Sequence, residues 1–166
     1  MPAPRRMMMA AAGVTTTYRY FLLDVTDNDG GTAICLSHIK IMVGDTDYPT
    51  QTATSNTLPS PLVMSADSDQ AGQEAFRAFD NDGATFWQNQ DPATTGWIKI
   101  DLGAGNGIGG ITALKLTARP GVPNRSPQDF TLEGSDTGSF SGEEEVLITA
   151  TGSTGWGSSE ERTFTV

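Results

Sequence analysis

Apolar and polar residues alternate along most of this chain. YRYFLLDV (18–25), AICLSHIKIMV (33–43), GWIKIDLG (96–103), GITALKLTAR (110–119), DFTLEGS (129–135), EVLITAT (145–151) and ERTFTV (161–166) switch with the period of two that gives a strand one buried face. Between them lie DNDGG, GAGNGIGG, RPGVPNRSP, SDTGSFSG and GSTGWGSS, dense in residues that accept left-handed or Asx-stabilised backbone. Short strands joined by many turns predict an all-β fold, a β-sandwich or jelly roll of about eight strands. Ile98, Ile100, Leu102, Leu114, Leu116, Phe130 and Leu132 should face the core, with Lys99 and Lys115 pointing outward. Trp87 and Trp97 are assigned to the core on size.

Two segments break the alternation. SDQAGQEAFRAF (68–79) reads as a short helix with Ser68 or Asp69 as its cap. TDYPTQTATSNTLPSPLVMS lacks any period, so residues 44–65 read as a connecting loop laid over the surface. The chain has 166 residues, the size of one domain. MPAPRRMMMAAAGV has a basic start and a short apolar run; a small N-terminal arm over residues 1–17 is preferred to a signal peptide, because the run passes straight into strand-like sequence.

The net charge of −10 repels phosphate backbones and argues against a nucleic-acid partner. No apolar run approaches the roughly 20 residues of a membrane helix. Cys35, the only cysteine, has no intrachain partner and reads as a buried thiol in a strand.

Motifs that carry chemistry are scarce. GNGIGG (105–110) matches a dinucleotide fingerprint by letter, but a strand pattern follows where a helix must start, so it reads as a hairpin loop. Around Gly83 an EF-hand register puts Ala78 first and Asn89 last, where acidic ligands are required. His38 is the only histidine, which removes every two-histidine metal or relay arrangement. No serine sits in a nucleophile elbow. With 20 acidic residues a carboxylate pair always exists somewhere, so a glycosidase pair carries little information. Asn124 opens an NRS sequon, relevant only to a secreted chain.

Four blocks in order, AFRAFDNDGATFWQ, GWIKIDLGAG, ITALKLTARPG and SPQDFTLEGSDTGSF, resemble the discoidin, or coagulation factor 5/8 type C, domain over residues 66–166. TTTYRYFLLDVTDNDGGTAICLSHIKIMV resembles the last two strands of that family, yet here residues 18–43 come first. The resemblance therefore implies a circularly permuted, galactose-binding-like sandwich over residues 18–166, similar in its order to repeat units of bacteriophage structural proteins. Rebuilding the family's strand order places Val166 beside Thr17–Tyr18, and Tyr18–Val25 in the same sandwich as residues 97–102 and 111–118.

The same resemblance implies a structural calcium in the AFDNDGATFW turn. Asp80 would give a carboxylate, Thr85 a hydroxyl and carbonyl, and Arg77 and Asp82 main-chain carbonyls. His38 stands where the family has a glutamate, which lowers the charge of such a site. An Asx-turn held by its own hydrogen bonds is the alternative. Ligand groups in the family's sugar-binding members come from loops at one end, which here gives Arg119, Asn124 and Arg125. Trp156 either stacks on a sugar there or fills the end of the sandwich. The arginines either bind a ligand or pair with the acidic surface.

The function these readings imply is a non-enzymatic binding or decoration module on a virion surface, in many copies, contacting other virion proteins and host-surface glycans. The alternatives are a structural subunit that grips its neighbours without a sugar, a secreted or extracellular module, and a small glycan hydrolase.

Overall fold

Nine strands of the computed structural model, which describes residues 16–166, form two antiparallel sheets that share one apolar core. In chain order the strands are β1 (Thr17–Tyr18), β2 (Tyr20–Asn28), β3 (Cys35–Leu36), β4 (His38–Val43), β5 (Thr46–Tyr48), β6 (Val63–Ala66), β7 (Trp87–Gln88), β8 (Gly96–Asp101), β9 (Ile108–Gly109), β10 (Ala113–Thr117), β11 (Pro127–Ser135), β12 (Glu145–Ala150) and β13 (Glu161–Thr165). The larger sheet runs β12-β11-β2-β8-β6 and the smaller β13-β10-β4-β5. Two minor ladders, β1 with β9 and β3 with β7, fasten the connections. The chain is thus all-β and sandwich-like. The expected N-terminal arm falls almost wholly outside the described residues.

Alternation places the core. Phe21, Leu23 and Val25 of β2, Ile98 and Ile100 of β8, and Phe130 and Leu132 of β11 face Ile39 and Ile41 of β4 and Leu114 and Leu116 of β10. All seven residues assigned inward from the sequence, including Leu102, are buried. Lys115 points away from them and reaches Asp47 at 3.7 Å beside Lys40. Burying Phe130 against Phe164, edge to face at 4.9 Å, ties the two sheets together; truncation to alanine there would cost about 3–5 kcal/mol.

Tyr20–Asn28 occupies the centre of the larger sheet, between β11 and β8. It therefore lies in the same sheet as residues 96–101. The far end of the chain returns to the same place: Val166 N–H donates to the Thr112 carbonyl at 3.2 Å, while Tyr18 pairs with Ile108. Tyr18 and Val166 are thus both hydrogen-bonded to the segment 108–112.

Four sequence readings are corrected. Residues 68–79 do not form the expected helix; only Ala75–Ala78 make a 3-10 turn. Gly72 at φ +79° breaks the run. The expected caps are engaged elsewhere: Asp69 accepts the Trp87 indole N–H at 3.0 Å, and the Ser68 hydroxyl accepts Gln90 N–H at 3.1 Å. Residues 44–65 are not wholly loop, since β5 pairs with β4 and β6 with β8 at its two ends. GNGIGG is not a hairpin loop. It carries the chain from β8 in one sheet to β10 in the other, with β9 borrowed by β1. Trp97 is only half-buried, on the outer side of β8, because in a strand it cannot share a face with its neighbour Ile98.

Candidate functional site

The connections after β2, β7 and β10 meet at one end of the sandwich. β3 pairs with β7, which sets Cys35 opposite Gln88. Both are buried. The Gln88 side-chain oxygen is the centre of the cluster: it accepts Arg119 NH1 at 3.0 Å, Arg125 NH1 at 2.9 Å and the Cys35 thiol at 2.9 Å. The Arg119 guanidinium carbon also sits over the Phe86 ring, 3.7 Å from its centroid, a cation–π contact. Arg125 reaches on to the Thr32 hydroxyl at 3.0 Å and Asp91 at 3.3 Å. Asn124 is exposed, and its carbonyl accepts Gly31 N–H at 2.9 Å. Gly31 is required there: a Cβ would sit 2.9 Å from that carbonyl and 2.6 Å from Arg125 Cγ. The structure thus brings Arg119, Arg125 and the Asn124 backbone together.

Two guanidinium groups therefore share one neutral acceptor, with Asp91 the carboxylate nearest in their hydrogen-bond network. Burial pushes the Cys35 thiol up, and the two arginines only partly offset this. A neutral thiol donating to an amide oxygen is a structural group, not a nucleophile. What the arrangement offers a ligand is charge and a fan of N–H donors suited to hydroxyl or carboxylate oxygens.

Trp156 takes the second of its two expected roles. It is buried, its indole N–H donates to the Ser153 carbonyl at 2.8 Å and the Pro127 carbonyl at 3.1 Å, and Arg162 covers its ring at 4.3 Å. It closes the end of the sandwich, and no open ring face remains for a sugar.

The AFDNDGATFW turn lies elsewhere, beside His38. Asp80 accepts Asp82 N–H at 2.9 Å and the Thr85 hydroxyl at 2.6 Å, and that hydroxyl also lies 3.0 Å from the Asp82 carbonyl. Asp82 in turn accepts Ala84 N–H at 2.9 Å. Asn81 adopts φ +54°, as Asx-rich turns allow. Arg77 pairs with Glu74 at 2.9 Å. Among the described residues His38 Nε2 is buried without a partner; burial, with Lys40 nearby, pushes its pKa below the ordinary value against the pull of Asp80. Asp80, Thr85 Oγ1 and the Asp82 carbonyl are the oxygens gathered here, a sparse set for an ion that takes six to eight. Among the described residues no group of three or more His, Cys, Asp or Glu could hold a metal ion. The hydrogen bonds above account for the shape of the turn.

Sequence reasoning missed Gln88. Nothing in its neighbourhood marks it; only the long-range pairing of β3 with β7 puts it under both arginines. The architecture and this end together define an all-β, sandwich-like protein with a basic loop cluster. No family model, no curated protein and no solved structure matches this chain. No helix among the described residues is long and apolar enough to cross a membrane.

Proposed function

We propose that the chain is a non-enzymatic binding or decoration module of a bacteriophage virion surface, and that it contacts host glycans through the loop end bearing Arg119, Asn124 and Arg125. The single observation that carries the binding reading is the convergence of both guanidinium groups on Gln88. Arginines held in place by a buried acceptor lose little freedom on binding a ligand. They are recognition groups rather than proton-transfer groups at neutral pH. The virion setting rests on the resemblance of the strand order to repeat units of bacteriophage structural proteins, and the circularly permuted discoidin-like fold rests on the sequence blocks themselves. The position of β2 between β11 and β8 is consistent with that order.

A glycan array carrying neutral, sialylated and uronic-acid oligosaccharides tests the reading. Binding by the intact chain that is lost in both Arg119→Ala and Arg125→Ala supports it. Array binding indifferent to both substitutions removes the loop end as the site.

A second reading, a structural subunit that grips its neighbours with no sugar ligand, is favoured by Val63 and Val146. These valines are exposed on β6 and β12, the two edge strands of the larger sheet. Its support would be a multi-copy assembly in which the substituted valines, and not the arginines, abolish association.

A further inference from the structure

The outer face of the larger sheet carries a groove that the loop-end reading does not use. Cross-strand register builds it in two rows: Glu133, Leu22 and Lys99 lie side by side on β11, β2 and β8, and Thr131, Asp24 and Trp97 form the next row. The chain between β11 and β12 folds back beside these rows and walls one side of an open groove of about 330 Å³ lined by Trp97, Asp24, Glu133 and Phe140. That size lies at the lower end of small-molecule sites.

The overhang is built rather than slack. The Ser135 hydroxyl accepts the N–H groups of Thr137 and Gly138, and donates to Glu143 at 2.6 Å. Gly138 packs so closely on Tyr20 that a Cβ would meet its ring at 2.8 Å. Phe140 is held at φ +47°, a conformation a bulky residue adopts only when its surroundings impose it. The result is a ring 5.8 Å from the Lys99 ammonium, which also lies 5.7 Å from the Trp97 ring.

Lys99 donates to the Gly138 carbonyl at 3.4 Å, and the groove's other polar groups are largely unspent. Among the described residues neither the Asp24 carboxylate nor the Trp97 indole N–H makes a hydrogen bond or an ion pair. Glu133 has the Thr131 hydroxyl at 3.0 Å and a second oxygen free. Burial pushes both carboxylates above their ordinary range. The groove thus offers aromatic surface, two acceptors and two donors in one place.

We propose that this groove is a second binding site, separate from the arginine end, and that its ligand is a neutral saccharide stacked on Trp97. Complementarity selects that class. Asp24 and Glu133 repel anionic sugars and phosphates, and the Lys99 ammonium near the two rings already occupies the place a cationic ligand would take. A pyranose has an apolar face for the indole and vicinal hydroxyls that donate to a carboxylate and accept from Lys99 or the indole N–H.

The test titrates the full chain with methyl glycosides of galactose, glucose and mannose and with their trisaccharides, reading the three indole N–H signals by NMR. A neutral sugar should shift the Trp97 signal while those of buried Trp87 and Trp156 stay in place. Trp97→Ala and Asp24→Asn should each weaken binding about tenfold, whereas Arg119→Ala and Arg125→Ala should leave it unchanged. Should Trp97→Ala fail to fold, Asp24→Asn decides, since it preserves shape while removing the charge and exchanging one acceptor oxygen for an NH2 donor. The proposal is overturned if no neutral sugar moves the Trp97 signal at millimolar concentration, or if the shift survives both groove substitutions. Loss of array binding in the arginine variants alone would uphold the loop end and leave the groove without a ligand, so the two readings fail separately.

Discussion

The arginine end and the outer-face groove bear polar groups of opposite bias, and they treat those groups differently. At the arginine end part of the donor set is already engaged: Gln88 accepts one N–H from each guanidinium group and the Cys35 thiol, and Arg125 also reaches Thr32 and Asp91. In the groove the Asp24 carboxylate and the Trp97 N–H have no partner among the described residues. Position in a sequence block singled out the arginines; availability singles out Asp24. A ligand at the first site must compete with internal bonds, whereas at the second it supplies what is missing.

The strongest way to break this comparison is to remove the strand both regions hang on. Asp24 lies in β2, and the loop after β2 supplies Thr32 to Arg125. Deleting residues 1–43 takes the central strand from the larger sheet and β4 from the smaller. No cooperative melt should remain, by calorimetry or denaturant titration. A truncated chain that stays soluble and melts cooperatively would show that the two regions rest on separate supports, and would end the permuted reading.

Gln88→Leu is the next in size. It leaves both arginines and the thiol without their shared acceptor, and should cost about 2–3 kcal/mol in urea unfolding. The Cys35 thiol should then react with a thiol reagent in the folded state faster than in the parent chain. A loss below about 0.5 kcal/mol would mean that the loop end is held by Asp91 and Thr32 instead.

The charge that destabilises is in the groove. Because burial pushes Asp24 and Glu133 up, the folded state keeps protons that the unfolded chain has already lost. The stability those protons supply is complete below the ordinary carboxylate range and is lost as pH rises through the folded values. Asp24→Asn should therefore raise stability at pH 7 by about 0.5 kcal/mol and show a smaller gain near pH 4, measured as melts across that range. An Asn variant less stable at pH 7 would mean that the carboxylate has a partner and the groove is not open.

The smallest effect concerns the Asp80 turn, a third way of handling charge, in which the carboxylate bonds to its own backbone. EDTA should leave the melting temperature unchanged. A fall on EDTA, restored by calcium, would place an ion between Asp80 and Thr85 and replace the hydrogen-bond account, since a ligand held only by the folded state raises stability.

How far the sequence can be read follows from the range of the forces involved. Period-two alternation is local, so the strands at 96–101, 113–117 and 127–135 and their inward residues were legible. The assignment of both Trp97 and Ile98 to the core ignored the parity of the same strand, and size outweighed period. The helix over 68–79 failed because Gly72 interrupts it and because Asp69 finds the Trp87 indole, a partner 18 residues away that no window reveals. Arg119 and Arg125 were legible only through the resemblance. Gln88, Asp24 and Phe140 were not legible at all, because their setting comes from strands and loops that meet only after folding.

The position of β2 has a consequence for synthesis. Tyr20–Asn28 precedes both of its neighbours in the chain: β8 starts at Gly96 and β11 ends at Ser135. At ordinary translation rates of about 5–20 residues per second, YFLLDV waits on the order of ten seconds outside the ribosome with both edges bare. A segment rich in aromatic and branched residues is then a template for cross-β pairing between nascent chains. Asp24 and Arg19 are the charges within and beside that run, and they are the kind of gatekeepers that keep such a segment in solution. The carboxylate that weakens the finished fold thus protects the unfinished one.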